Sequence, residues 1–352
     1  MNIIYKKLTI GNLEIKYPIV QGGMAVGISL DNLAAAVANA GGIGVIGTAG
    51  IGLFSEIKNY REASISGLKK IIRKAKEKTN GIIGVNIMVA LTNYGDMVKT
   101  AIDENIDIIF SGAGLPLSSP SFLKKESKTK LVPIVSSLKA AQIIVKRWIS
   151  KFNYIPDAFV LEGPLAGGHL GYKKDELFSE KNKLERNIPL LKEYLLNVEK
   201  KYGKKIPLIA GGGLYSKEDV EKVLGLGADA VQMGTRFIAT EECDANIKFK
   251  EAIIKAKDED ITIIKSPVGL PGRALKNSFI ESVEKGDKKP YECRYHCIKT
   301  CDFKDAPYCI AKALYNAAIG NLEEGFVFTG KSVSKINRIQ KVEDIFNELF
   351  EN

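Results

Sequence analysis

Ala158-Phe-Val-Leu-Glu-Gly-Pro-Leu-Ala-Gly-Gly-His-Leu-Gly171 is an apolar run that breaks into a glycine-rich loop, with His169, one of only two histidines in the chain, at its tip. Consecutive apolar residues without polar alternation fit a short strand covered on both faces. Glycine has no Cβ and tolerates positive φ, so such a loop lets backbone amides approach a ligand closely. Alone, the segment supports two readings: a turn with an exposed histidine, or a ligand loop at a strand end. Recurrence decides between them.

The pattern occurs eight times. Pro18-Ile-Val20 runs into Gln21-Gly-Gly-Met24, Ile43–Ile46 into Gly47-Thr-Ala-Gly50, and Asp107–Phe110 into Ser111-Gly-Ala-Gly114. Ile82–Asn86 and Lys130–Val135 are further runs, the latter ending in Ser136-Ser137. Ala158–Glu162 is the sixth, Ile206–Ala210 precedes Gly211-Gly-Gly213, and Ala228–Gln232 precedes Met233-Gly-Thr-Arg236. Amphipathic segments of helix length separate them: 32–39 with Ser29 or Asp31 as its cap, then 66–78, 94–104, 140–150, 188–202 and 217–226. Small or polar residues after nearly every strand predict a (β/α)8 TIM barrel. An open doubly wound sheet would gather its ligand loops at one switch point. The polar stretch 172–187 has no clean period and fits either a surface loop or a mobile cover over a site.

The last two strands carry a second signal. Gly211-Gly-Gly213 and Gly234-Thr235 offer unhindered N–H groups where barrels often hold a phosphate against a short helix N-terminus. A phosphate-bearing cofactor or substrate is therefore expected.

Composition sets bounds. A chain of 352 residues with 45% hydrophobic content suits one large α/β domain with an addition. Net charge is +10, but the lysines are spread along the chain among Glu and Asp, the look of solvated helix faces, so no nucleic-acid partner is expected. Met1–Lys7 lacks the apolar core and cleavage site of a signal peptide, and no run is long enough to span a bilayer. The five cysteines form no spread framework. A cytoplasmic protein away from the membrane is the expectation.

Beyond residue 243 the barrel pattern stops. The expected division is a barrel over 1–243, a small, mainly helical subdomain over 244–330, and a C-terminal helix within 331–352 that returns to the barrel. Ala245–Lys257 reads as helix, Ile261–Ile264 as a brief apolar run, and Gly269-Leu-Pro-Gly-Arg273 as a rigid loop. Gly325–Gly330 is expected to return to the barrel mouth, and Val342–Phe350 to close the chain as a helix. Arg273 and Lys331 are each either an anion contact or a surface charge. Cys293, Cys297, Cys301 and Cys309, with His296 among them, form a C-x3-C-x3-C-x7-C group that matches none of the usual zinc or ferredoxin spacings. Thiols sharing a helix face could hold a metal, or could simply be small buried hydrophobes; metal ligation stays open.

The set Gln21–Met24, Gly84-Val-Asn86, Ser111–Gly114, Ala166–Gly171, Ala210–Gly213 and Gln232–Thr235 resembles the nitronate monooxygenase (2-nitropropane dioxygenase) family, which shares its flavin barrel with enoyl-ACP and quinone reductases. The resemblance implies bound FMN. By position, the backbone of Gly22, Gly23 and Met24 would lie against the isoalloxazine ring, and Asn86 would hydrogen-bond it. Gly167 and Gly168 would approach from the sixth loop, with Glu162 near the ribityl chain or ring edge. Gly212, Gly213, Gln232, Met233, Gly234 and Thr235 would surround the phosphate. Many nitronate monooxygenases have Gln where Glu162 stands, whereas Glu is common in the reductase branch.

The resemblance makes His169 the candidate catalytic residue. Its ordinary pKa near 6.5 suits a base that removes the proton α to a nitro group. Three functions follow: oxidation of alkyl nitronates or nitroalkanes with O2; reduction of an enoyl-ACP or quinone with NAD(P)H, in which case acyl carrier protein is a partner; or flavin binding without catalysis. A homodimer is compatible with each.

Overall fold

The computed structural model describes residues 5–351; Met1–Ile4, the start of the segment read for a leader, lie outside the described residues. All eight apolar runs form strands: Ile19–Gln21, Gly44–Gly47, Ile83–Met88, Ile108–Gly112, Lys130–Val135, Phe159–Glu162, Leu208–Gly211 and Ala230–Met233. From the second strand to the eighth, each pairs in parallel with its sequence neighbour. The eighth pairs with the first through Val231 and Ile19, and a bridge between Val20 and Ile43 joins the first to the second. Consecutive order with closure is a barrel.

Two apolar layers hold it. Val20, Ile43, Val45, Phe110, Val132, Val160 and Ile209 form one buried cluster with Leu8, Ile10 and Ile15. The last three come from an antiparallel hairpin, Leu8–Ile10 with Leu13–Ile15. The hairpin turn meets Lys130 at the start of the fifth strand, so it plugs the end of the barrel opposite the glycine loops. Outside, the strands pack on the amphipathic helices in one continuous core that also takes in Ile264, Phe279, Tyr308 and Phe326 of the C-terminal segment.

Local caps set the starts of three barrel helices, and a distant carboxylate sets that of a fourth. Asn59 accepts from the N–H groups of Arg61 and Glu62, so the second helix begins at Tyr60, earlier than its periodicity predicts. Ser137 caps Leu138–Phe152, and Ser216 with Asp219 forms a capping box on Lys217–Gly225. The first helix, Asp31–Asn39, is not capped by Ser29 or Asp31. Ser29 turns back onto Met24 and Asp31 pairs with Lys78. The cap is the Asp244 carboxylate, more than 200 residues away in sequence, which accepts from Leu30 at 2.7 Å, Leu33 at 3.2 Å and Asn32 at 3.3 Å. A charged acceptor at these orphan donors also complements the helix dipole. Asp244→Ala is expected to cost about 1–2 kcal/mol in urea unfolding, with Asp244→Asn recovering part of it.

In the C-terminal segment, helices Ile247–Lys255, Ser278–Lys285 and Ile310–Ala318 supply most of the regular structure. Its link to the barrel is a sheet. Strands Ile261–Lys265 and Pro271–Leu275 pair antiparallel, and Gly168–His169 adds as a third strand opposite Arg273 and Gly272. Two expectations need correction. Residues 269–273 are not simply a rigid loop, because Pro271–Arg273 sit in a strand, and Arg273 is only 2% exposed. The backbone of the sixth loop itself completes this sheet. Gly325–Gly330 returns as expected: Leu275 and Thr329 exchange backbone bonds with Val327 and Arg273. The closing helix Val342–Phe346, continued by Asn347–Glu351, packs against the first helix and Lys217–Gly225, where a barrel's eighth helix belongs.

Candidate active site

At the C-terminal ends of the strands a cavity of about 1030 Å³ opens, at the upper end of ordinary ligand pockets. Every predicted site residue lines it: Gly22, Gly23, Met24, Asn86, Glu162, Gly167, Gly168, His169, Gly212, Gly213, Gln232, Met233, Gly234 and Thr235. They come from the ends of five strands, so only closure of the barrel brings them together.

The glycines are steric requirements at a few of these positions. A Cβ on Gly23 would stand 2.3 Å from that of Asn86, so the first loop lies directly on the Asn86 side chain. A Cβ on Gly167 would meet the Thr329 carbonyl carbon at 2.6 Å. Gly212 and Gly213 take φ of 110° and 82°, the region that favours glycine. Among the described residues, the N–H groups of Gly212, Gly213, Gly234 and Thr235 donate to no protein acceptor. Gly234 and Thr235 stand at the start of the short helix Thr235–Ile238. Four free donors beside a helix start are of the kind that binds an anion. The Thr235 hydroxyl accepts from Gly330 at 2.8 Å, and Ser332 donates to the Gly213 carbonyl, tying the returning C-terminal segment to these loops.

The sixth loop holds the titratable groups. The His169 ring lies edge-on to Phe328, centroids 5.0 Å apart, and its Nε2 is 2.7 Å from Ser266 Oγ. Burial pushes its imidazole down to about 4, so it is neutral at physiological pH. Burial pushes the Glu162 carboxyl up to about 7, against the opposing charge of Arg273. Arg273 donates to the carbonyls of Pro164, at 2.7 Å, and Ala166. It is therefore neither a surface charge nor a free anion contact. It clamps the loop that carries His169. Lys331 is the surface charge, paired with Asp258 at 3.2 Å.

A folded-state pKa of about 7 for Glu162, above its ordinary 4.5, means the folded protein holds the extra proton between those values. The stability this proton brings is full below about pH 4.5 and lost as pH rises towards 7. His169 acts oppositely, losing stability as pH falls from 6.5 towards 4. Comparing Glu162→Gln with wild type isolates the first effect. Urea unfolding should show the variant gaining on wild type as pH rises from about 5 to 8.

Sequence reasoning missed Ser266, Phe328 and Tyr172, whose hydroxyl donates to the Glu162 backbone carbonyl at 2.6 Å. The stretch 172–187 does cover the site, with Tyr172, Lys173, Lys174, Glu176 and Asn182 on the cavity wall. The cysteine group differs from expectation. Its four thiols share no helix face, because 286–309 contains neither helix nor strand, and Cys309 only precedes the helix Ile310–Ala318. Among the described residues, no three His, Cys, Asp or Glu side chains are placed to hold one metal ion. No described helix is long and apolar enough to cross a membrane.

Fold and site together define a (β/α)8 barrel with a glycine-lined ligand cavity at its C-terminal mouth. The chain belongs to the nitronate monooxygenase family, whose model matches residues 6–352. A probable nitronate monooxygenase of Staphylococcus saprophyticus is 28% identical over 303 residues, covering 79% of this chain and 80% of that protein. FabK from Thermotoga maritima superposes with a TM-score of 0.72 at 28% identity, covering 96% and 92% of the two chains. Nitroalkane oxidase from Streptomyces ansochromogenes superposes with a TM-score of 0.71 at 20% identity, covering 95% of each, a likeness of fold. The family implies a flavin, and the residues present fit one: glycines clear a floor to the cavity and four backbone N–H groups are free to donate to it.

Proposed function

We propose that this chain binds FMN and oxidises alkyl nitronates, or the parent nitroalkanes, with O2. The observation that carries this reading is a neutral, half-buried His169 on the wall of the same cavity as the free N–H groups of the seventh and eighth loops. FMN, when bound, supplies the electron transfer; the protein positions it and shapes the site. Gly212, Gly213, Gly234 and Thr235 would take its phosphate, and the loop from Gly22 to Met24, backed by Asn86, would take its ring.

His169 would hold the substrate's proton. With Nε2 committed to Ser266, Nδ1 is the ring nitrogen left for substrate. For Nδ1 to accept a proton, Nε2 must carry its own and donate it to Ser266 Oγ. Ser266 also receives the Val268 N–H at 3.2 Å, which fixes the hydroxyl in place. A nitronate arrives already deprotonated, and His169 then binds the anion in its other tautomer, with Nδ1–H donating to it and Nε2 accepting from Ser266 Oγ. Oxygen uptake on adding an alkyl nitronate to purified, FMN-loaded protein tests the proposal; no uptake with any nitronate or nitroalkane would defeat it.

The second reading is an NAD(P)H-dependent reductase of an enoyl thioester or quinone. Glu162 favours it, since the resemblance places Glu more often in that branch. Here Nδ1–H of His169 would donate to the substrate carbonyl, with Ser266 donating to Nε2.

A further inference from the structure

The segment between Gly171 and the helix that begins at Leu184 covers the cavity, yet it is bonded mostly to itself. Its regular structure is two single turns of 3-10 helix, Lys174–Glu176 and Glu180–Asn182. Among the described residues, the N–H groups of Glu176, Ser179, Asn182 and Lys183 donate to the carbonyls of Lys173, Glu176, Ser179 and Glu180, all inside the segment. Its ion pairs are internal too, Lys181 with Glu176 and Lys183 with Glu180. The Asn182 side chain closes the unit by donating to the Glu176 carbonyl at 2.8 Å.

Two contacts hold this unit down. The Tyr172 hydroxyl donates to the Glu162 backbone carbonyl, at the end of the sixth strand, at 2.6 Å. Leu177 is buried with Ala166 and Leu170, against Tyr172 and Ile263, in a small cluster separate from the main core. Phe178 beside it is 77% exposed, so the segment is anchored through a single apolar side chain. The flanks, by contrast, are fixed. Leu170 N–H donates to the Pro271 carbonyl at 2.8 Å, and Ser136 Oγ donates to that of Gly171 at 2.7 Å. At the other end Asn187 donates to the carbonyls of Lys181 and Lys183, and Leu184 lies directly on Gly163, where a Cβ would stand 2.7 Å from its Cγ.

A stretch bonded to itself between two fixed ends can open as a unit, because few contacts outside it break. Its inner face is cavity wall, through Tyr172, Lys173, Lys174, Glu176 and Asn182. We infer that residues 173–183 form a lid that pivots at Gly171 and Lys183, is latched by the Tyr172 hydroxyl and by Leu177, and opens to admit ligands to the cavity. Closed, it keeps bulk water from the wall that carries Glu162 and His169. The lid governs entry and not chemistry, so it holds for nitronate oxidation and for nicotinamide-dependent reduction alike.

Hydrogen exchange read by mass spectrometry, on the full-length protein as purified, tests the latch. Peptides covering 173–183 should exchange well ahead of those covering Phe159–Glu162 and Leu184–Tyr202. Tyr172→Phe keeps the ring and removes one hydrogen bond, so the segment should exchange roughly 3- to 10-fold faster while the flanking peptides are unchanged. Leu177→Ala, which empties the small cluster, should quicken it by roughly 10-fold or more. Gating is read from the kinetics of FMN binding, followed by flavin fluorescence. Tyr172→Phe should speed entry and release alike and leave the affinity nearly unchanged. Segment peptides as slow as the flanks, or no faster in Tyr172→Phe than in wild type, would overturn the latch. Faster exchange with unchanged FMN entry and release would overturn the gate. Wild-type protein that binds no FMN would instead defeat the cofactor reading, and the exchange comparison would then decide alone whether 173–183 opens as a unit.

Discussion

His169→Ala is expected to retain FMN and to lose turnover of neutral nitroalkanes by roughly 10²–10⁴-fold, the range ascribed to a positioned general base. The variant removes the imidazole and leaves the N–H groups proposed for the phosphate, after the seventh and eighth strands, untouched. Alkyl nitronates should suffer far less, because they need no deprotonation. The difference between the two substrates therefore separates a lost base from a damaged site. The low pKa of His169, about 4, sets the pH signature: the base stays free to accept a proton throughout the neutral range, and its activity falls only in acid. Unchanged nitroalkane turnover in the folded variant would remove His169 from the chemistry.

Arg273→Met is expected to destabilise the fold by about 2–5 kcal/mol, measured by urea unfolding. Its guanidinium is buried and is a donor to the carbonyls of Pro164 and Ala166. Methionine fills a similar volume but leaves two carbonyls without that donor. It also removes the positive charge that opposes the rise of the Glu162 pKa, so that carboxyl should titrate higher still. Both effects bear on the loop that carries His169, and turnover should fall even where the variant stays folded. A loss under about 0.5 kcal/mol, ordinary for an exposed residue, would contradict the clamp.

The barrel was legible because its strands are buried on both faces, which makes each an unbroken apolar run, and because glycines follow most of them. The same glycines marked the cavity wall, since a backbone that must approach a ligand or another loop has no room for a Cβ. That Gly212, Gly213, Gly234 and Thr235 lie side by side on the cavity wall followed from where they fall in strand order. What stayed hidden depends on partners distant in sequence. Asp244 caps the first helix across more than 200 residues, and Ser266 meets His169 across 97. No local pattern announces either contact. Arg273 sits among glycine and proline and looks like a loop charge until the strand Pro271–Leu275 pairs with Gly168–His169. The cysteine segment has no period at all, because it is held by cross-contacts to Ala90, Thr92 and Val268.

Flavin in this cavity is expected to take electrons from a nitronate and not from a nicotinamide. Purified, FMN-loaded protein mixed anaerobically with an alkyl nitronate, NADH or NADPH, while flavin absorbance is followed, tests it most directly. Rapid bleaching is expected with the nitronate, and none on the same timescale with either nicotinamide. Rapid bleaching by NADH or NADPH alone, with no response to nitronate, would contradict it and establish the reductase.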